Sequence, residues 1–378
     1  METQEQLPKQ YTQLKGEELR SRIAERKDQL GPSLCILGHH YQRDEVIAFA
    51  DFTGDSLKLS QLAAEHKEAK YIVFCGVHFM AESADVLSGP HQAVILPNLL
   101  AGCPLADAAE DGAVAAAIDE LGSMTSTKVV PITYVNSTAA IKAITARAGG
   151  ACCTSSNVAN VFAWAFRPAA EGGASAEKIL AIPDVHLGRN TAVAMGYALN
   201  DCVVYDPGLP NGGLSQKSLA PATFILWKGQ CYVHQRFTAE HVRLARQAQS
   251  GITVIVHPEC PHEVVKLADA SGSTEQIIRA VAGGQPQGSW AIGTESNLVS
   301  RLAKQHPQCS IRVLSDGPSH CAQMARIDLP HLLWVLDGLC EERVINRISV
   351  PGKIAAEARI ALRRMIEIKG AVDVTRRR

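Results

Sequence analysis

The chain has 378 residues, 46% apolar and 20% charged, the balance of a globular protein with room for one large domain or roughly two to three smaller ones. With 37 basic against 38 acidic residues the formal net charge is −1, and no basic stripe is interleaved with aromatics, so a nucleic-acid partner is excluded from the expectations. The polar start METQEQLPKQ has no apolar signal region, no apolar run approaches the ~18–20 residues of a membrane span, and eleven cysteines in such a chain are not a disulfide framework. The expectation is a cytoplasmic protein with no membrane partner.

Residues 1–33 read as an N-terminal helical segment of high charge, ended by Gly31-Pro32. Unit 1 spans 34–121. LCILG is a short apolar strand, followed by the polar tip His39-His40-Tyr41. Val46, Phe49 and Ala50 then recur at helical spacing, and Asp55 or Ser56 caps a second helix. YIVFC and AVILP are further strands, and the latter leads to Cys103 ahead of an Ala-rich helix.

Unit 2 spans 128–249. KVVPITYVNS is strand and tip, with Tyr134 and Asn136 in the tip. Ser155 and Ser156 are placed at the second helix start, KILAIP is the second strand, and TFILW is a third that leads to Cys231. The Pro- and Gly-rich stretch DPGLPNGGLS makes this unit longer. Unit 3 spans 252–338. ITVIV leads to the tip His257-Pro258-Glu259, Ser273 with Gln276 fits a capping box ahead of Thr274, and SIRVL leads to Cys321. Residues 339–378 are a C-terminal helical segment whose final Arg376-Arg377-Arg378 is a solvated tail.

The intervals test this repeat. His39 to Ser56 is 17 positions and Ser56 to Cys103 is 47; His257 to Thr274 is again 17 and Thr274 to Cys321 again 47. Unit 2 gives 21 and 76, the excess falling where its insertion lies. Strands alternating with helices imply parallel sheets, because each crossover needs a helix. Ligands of such sheets bind beyond the carboxyl ends of the strands, where the tips lie. The fold expected is α/β: three pseudo-equivalent αβα three-layer domains with short parallel sheets around a central active site.

Three such units can bring one cysteine each to a common point. Three thiolates are one short of the usual structural zinc site but match an iron–sulfur cluster with one iron left open. The same positions also suit core cysteines, and spacing leaves both readings open. Likewise a tip histidine can be structural and a serine at a helix start a plain cap. Helix starts at Ser56, Ser155 and Thr274 would suit a small polyanionic substrate.

The motifs LGHHYQ with GDSL, AGCPLAD, YVNS, CTSSN, PDVHLGRNT, WKGQCYVH, VHPEC, GST and GTESN occur in order over roughly 34–338. Together they resemble the quinolinate synthase family of bacterial and plastid NAD biosynthesis. The resemblance implies a transferase that condenses iminoaspartate with dihydroxyacetone phosphate to quinolinate, releasing phosphate and water. It implies a 4Fe-4S cluster on Cys103, Cys231 and Cys321. It also implies substrate binding by His39, Ser56, Tyr134, Asn136, Ser155, His257, Glu259 and Thr274, and catalytic roles for Tyr41, Glu259 and His234. A functional link to L-aspartate oxidase follows from the same resemblance.

Some relatives carry a CxxCxxC run around the third ligand, whereas HCAQM has Cys321 alone, so no local thiol switch is expected. Cys260 follows a first strand rather than a third and is left out of the ligand set. Two rival readings are a non-catalytic iron–sulfur redox or sensor protein and a zinc-dependent aldolase or lyase.

Overall fold

The protein, seen in a computed structural model, is described over residues 5–368, so the basic tail at 376–378 lies outside the described residues. It is α/β with three short sheets. The first sheet holds β1 (Leu34–His39), β2 (Phe52–Gly54), β3 (Tyr71–Cys75) and β4 (Ala93–Ile95). The second holds β5 (Val129–Tyr134), β6 (Ala151–Cys153), β7 (Lys178–Ile182), β8 (Cys202–Tyr205) and β9 (Phe224–Trp227). The third holds β10 (Thr253–Val256), β11 (Ala270–Ser271), β12 (Ser289–Gly293) and β13 (Ser310–Val313). A last strand, β14 (Arg347–Ile348), pairs antiparallel with β4, while the other pairings are parallel.

The strand orders are β2-β1-β3-β4-β14, β6-β5-β7-β9-β8 and β11-β10-β12-β13. Leaving out β8 and β14, each sheet has the same order: a short edge, the first strand, the second, the last. The extra strand β8 precedes the Pro- and Gly-rich insertion, so the excess length of unit 2 is partly an added edge strand. The strand cores are the continuous apolar runs expected of parallel sheets; β1, β3 and β7 are buried at every position.

The helices repeat as strictly as the strands. A helix begins five residues after each of His39, Tyr134 and His257, at Asp44, Ala139 and His262. Another begins three residues after the end of each second strand, at His78, Val185 and Ser296. Seven residues after each of Cys103, Cys231 and Cys321 stands a helix N-cap: Glu110, Thr238 and Asp328.

The chain divides into two compact units. The first joins the described residues up to Cys103 with His320–Pro351 and contains the first sheet. Within it the helix Leu329–Cys340 packs on Gly16–Leu30, where Arg22 and Arg26 reach the largely buried Asp337 at 2.8 and 2.7 Å. The second unit contains the other two sheets and the helix Gly352–Glu367, which packs on Ala139–Arg147 and β6.

The helices after Cys103 and Cys231 pack on the sheet that follows them in the chain. The helix Asp111–Met124 buries Val114, Ala117 and Leu121 with Leu180, Ile225 and Trp227 of the second sheet. The helix Ala239–Ala248 buries Val242 and Ala245 with Val254, Val256 and Ala291 of the third. Among the described residues no helix is long and apolar enough to cross a membrane.

Two local expectations are corrected. The helix expected to carry Val46, Phe49 and Ala50 is a single turn, Asp44–Ile47; the i−3 bonds Phe49 N–H to Val46 O and Ala50 N–H to Ile47 O tighten its exit. The chain must be back at Asp51, whose N–H donates to Ile36 O at 2.8 Å. Ser155, expected at a helix start, lies in the turn ahead of the helix Val158–Phe166. Thr154 Oγ1 accepts from Ser156 N–H at 3.2 Å and Asn157 Oδ1 accepts from Thr154 N–H at 2.8 Å, so a hydroxyl-closed turn stands where the first helical turn was expected.

Candidate active site

The tips lie where parallel sheets place ligands, just past the carboxyl ends of the strands. In the second unit the tips of the second and third sheets meet. His257 and Glu259 follow β10, and both are buried. The Glu259 N–H donates to His257 Nδ1 at 3.3 Å, and Cys260 N–H donates to His257 O at 3.0 Å, closing a tight turn. With Nδ1 occupied as an acceptor, the neutral ring carries its proton on Nε2, which faces Ser155 Oγ at 3.2 Å. Burial, then the neighbouring His234, pulls the His257 imidazolium down to about 3 against the pull of Glu259. The ring is neutral at neutral pH, and its 3.9 Å approach to Glu259 is not an ion pair.

Glu259 is the centre of this group. Its Oε2 lies 2.7 Å from His234 Nδ1, and Tyr134 also hydrogen-bonds its carboxylate. Burial pushes the carboxyl up, but His234, His257 and these hydrogen bonds outweigh it and hold Glu259 below the ordinary carboxylate range. The ionised form is the stable one. A carboxylate only accepts, so His234 donates from Nδ1; its Nε2 lies 3.1 Å from Thr294 Oγ1. The His234 ring stacks on His257 with centroids 4.3 Å apart.

Asn136 follows Tyr134 in the second sheet's tip. Its Oδ1 is buried and, among the described residues, has no hydrogen-bond partner, which suits an acceptor kept for a ligand N–H or O–H. Ser156 Oγ reaches Ser273 Oγ at 2.9 Å, joining the two edge-strand turns. Ser273 caps the helix Thr274–Ala282 in the expected capping box with Gln276, and Thr274 is its buried first residue.

Cys231 begins the turn that leads to His234, and its sulfur and the ligand atoms of His234 and Glu259 lie within 4.8 Å of one another. The approach to Cys231 depends on Gly229. A Cβ there would stand 2.4 Å from Pro183 O, so only glycine lets this strand end pass the second tip.

The first unit carries His39, Tyr41, Ser56, Cys103 and Cys321. His39 Nδ1 accepts from Tyr41 N–H at 3.1 Å, the turn seen at His257, and the two rings meet edge to face at 4.7 Å. Ser56 is the first residue of its helix, behind the N-cap Asp55, whose carboxylate accepts from Lys58 N–H at 3.0 Å. The two cysteine loops of this unit are fastened to each other. Asn98, ahead of Cys103, donates to Arg326 O at 3.1 Å, and Arg326 ends the turn that follows Cys321. That turn copies the one after Cys231: Ala325 N–H donates to Cys321 O at 3.0 Å, as Gln235 N–H does to Cys231 O at 2.9 Å.

Sequence reasoning did not single out Thr294, Asn190 or Asn98. Thr294 was within reach, since GTESN occupies the second tip of unit 3. Cys260 is fully buried, its Sγ 3.5 Å from Gly293 O, and burial pushes its thiol well up, as expected of a core cysteine.

Comparison with known proteins places the chain in a family. A family model described as Quinolinate synthetase A protein matches residues 21–367. The chain is 52% identical over 364 residues to a quinolinate synthase of Acidobacterium capsulatum, with 95% of each chain covered. It is 48% identical over 366 residues to one of Anoxybacillus flavithermus, covering 97% of this chain and 98% of the relative. With one of Streptomyces coelicolor it shares 50% identity over 355 residues, covering 93% and 88%.

Proposed function

The chain belongs to the quinolinate synthetase A family, and we propose that it condenses iminoaspartate with dihydroxyacetone phosphate to quinolinate for NAD biosynthesis, in the cytoplasm. The atoms balance with one phosphate and two waters released and no electrons left over, so the work is proton transfer and loss of hydroxide. The observation that supports this best is the buried group of Tyr134, Glu259, His234 and His257 beside Cys231, in a chain so similar to its quinolinate synthase relatives. An aspartate-oxidising enzyme such as L-aspartate oxidase is the fitting source of iminoaspartate.

The cofactor proposed is a 4Fe-4S cluster on Cys103, Cys231 and Cys321. The donor set fits. All three cysteines are half-buried in the loops that follow β4, β9 and β13, each seven residues ahead of a helix N-cap. Cys35, Cys75, Cys152, Cys153 and Cys260 are buried instead, with thiols pushed up by burial. A single zinc on Cys231, His234 and Glu259 fits less well, because both ring nitrogens of His234 already have partners. The three αβα units are read as three copies of one ligand-bearing scaffold. When bound, the cluster supplies an open iron that polarises a substrate oxygen and eases loss of hydroxide.

The residues of the chain do the rest. Ser56 and Thr274, at the starts of their helices, and Ser155 hold carboxylate and phosphate groups. His39 and His257 bind the substrate through Nε2, which at His257 is shared with Ser155 Oγ, and Asn136 Oδ1 accepts from it. Glu259, ionised and accepting from His234, is the base that removes a proton from carbon or nitrogen. Tyr41 is the complementary proton donor, and His234, held at Nε2 by Thr294, donates from Nδ1 to Glu259 and can exchange that proton with it.

Anaerobic purification with iron and sulfide analysis, then an assay for quinolinate from the two substrates, tests the whole reading. Cys321→Ala is expected to lose the broad absorbance near ~400 nm and all turnover. A colourless variant that still forms quinolinate would overturn the proposal.

A further inference from the structure

The tip that carries Glu259 is held by a residue with no place in the chemistry. Asn190 lies on the helix Val185–Ala194, which follows the second strand of the second sheet, and only 5% of it is exposed. Its Nδ2 donates to Pro258 O at 2.8 Å and to Cys260 O at 2.9 Å. Its Oδ1 accepts from His262 Nδ1–H at 2.8 Å. Both amide protons and the amide oxygen are therefore used, and the amide cannot be flipped without setting an oxygen against two carbonyls. The helix itself is anchored by its N-cap Asp184, which accepts from Leu187 N–H at 2.7 Å.

The two carbonyls that Asn190 holds are those on either side of Glu259. The Glu259 N–H is already given to His257 Nδ1. The Pro258–Glu259 peptide is thus held at both its oxygen and its N–H, Cys260 is held at its N–H by His257 O and at its carbonyl by Asn190, and the Glu259 side chain leaves the turn toward His234 and Tyr134. Pro258 has no N–H and a restricted φ, which removes further freedom from the turn. The equivalent turn at His39 has a different tie: Arg43, from the far side of that tip, donates to Ala325 O at 2.8 Å.

We infer that Asn190 is a positioning residue for the reaction: by clamping the carbonyls of Pro258 and Cys260 it fixes the direction of the Glu259 carboxylate. This rests on the acid–base role given to Glu259 above. A base displaced by about 1 Å loses on the order of 10²-fold in rate, whereas binding through the other tips is little changed. The signature is a loss in kcat with KM nearly constant.

The test is a double-mutant cycle on the anaerobically purified holoenzyme. Asn190→Asp keeps the shape and removes both donors. Asn190→Ser, which leaves room for a water and buries no charge, serves if the first variant fails to fold. Each is made alone and with Glu259→Gln, with cluster content and thermal midpoint recorded. The expected result is about a 100-fold fall in kcat with KM within about 3-fold, and no further fall beyond about 2-fold when Glu259 is already glutamine. Asn190 variants with unchanged kcat, or with the same fall in both backgrounds, overturn the clamp's role while leaving Glu259 in place. A Glu259→Gln enzyme with normal turnover overturns the acid–base reading itself, and the clamp with it.

Discussion

The tips at His39 and His257 are one piece of backbone that presents two kinds of side chain. In both, Nδ1 of the histidine accepts from the N–H two residues on, and the histidine carbonyl accepts from the N–H three residues on. In both, the strand beneath is pinned by an aspartate fifteen residues downstream: Asp51 to Ile36 N–H and Asp269 to Val254 N–H, each at 2.8 Å. What differs is the residue that the turn presents. The first presents Tyr41, a half-buried phenol that can donate. The other presents Glu259, a buried carboxylate that can only accept. Duplicating a scaffold and exchanging one residue in each copy supplies a proton donor and a proton acceptor without a new backbone.

The largest expected effect follows from that exchange. Glu259→Gln keeps the size and removes the charge, and should cost about 10³-fold in kcat while leaving iron and sulfide unchanged. Tyr41→Phe, which removes only a hydroxyl from the other copy, should cost about 10-fold to 100-fold. Steady-state rates of quinolinate formation on cluster-matched samples decide it. If Tyr41→Phe is the more damaging, the division into donor and acceptor must be reversed.

A middling effect is expected in pH. His257 has its imidazolium pulled from the ordinary 6.5 to about 3, so the unfolded chain takes a proton that the folded chain refuses. The stability contributed by the neutral ring is whole above pH 6.5 and is lost as pH falls from there toward 3. Glu259 has the same sign but a lower window: its lowered carboxyl stabilises above about 4.5 and the contribution is lost as pH falls through its folded value. Between pH 6.5 and 5 the comparison therefore isolates His257. Replacing it with asparagine should flatten the acid limb of denaturant stability by roughly 1 kcal/mol per pH unit. His186 and His262, also lowered by burial, stay in both proteins and cancel. An unchanged acid limb would mean that His257 is protonated in the fold.

The sequence made the repeat legible because the fold enforces it through intervals. The 17-residue and 47-residue spacings that match units 1 and 3 reappear as equal helix starts and equal caps in the structure. Unit 2 was legible only in outline. Its edge turn is closed by the side chains of Thr154 and Asn157, so Ser155 does not start a helix. The equal step of seven from cysteine to cap could have been found at Glu110, Thr238 and Asp328, all of them capping types or acids. The partners of His234 were out of reach, because Glu259 and Thr294 stand 25 and 60 positions away and meet it only through packing of the second unit. Asn190 was out of reach for the same reason, since nothing about a helical asparagine reveals which carbonyls it will face.

The smallest effect expected is the one that tests whether the two copies are equivalent as scaffolds. Asp51 and Asp269 each return their own N–H to the strand residue they pin, at 2.8 and 2.9 Å, so each closes a two-bond ring on its first strand. Each also meets a cation from the helix before that strand, Lys27 at 2.6 Å and Arg246 at 2.8 Å. Those ion pairs are part-exposed and contribute little. The strand N–H left unpaired is the larger loss, about 1–2 kcal/mol when either aspartate becomes alanine. Asp51→Ala and Asp269→Ala should therefore lower stability by similar amounts, within about 0.5 kcal/mol of each other, and leave quinolinate formation at low temperature near normal. Chemical denaturation of the two variants side by side reads the difference. Equal losses would place the equivalence of the copies in the backbone itself. A loss confined to Asp269 would mean that the first strand is held by something other than its aspartate, and that the likeness of the two tips is one of shape without shared energetics.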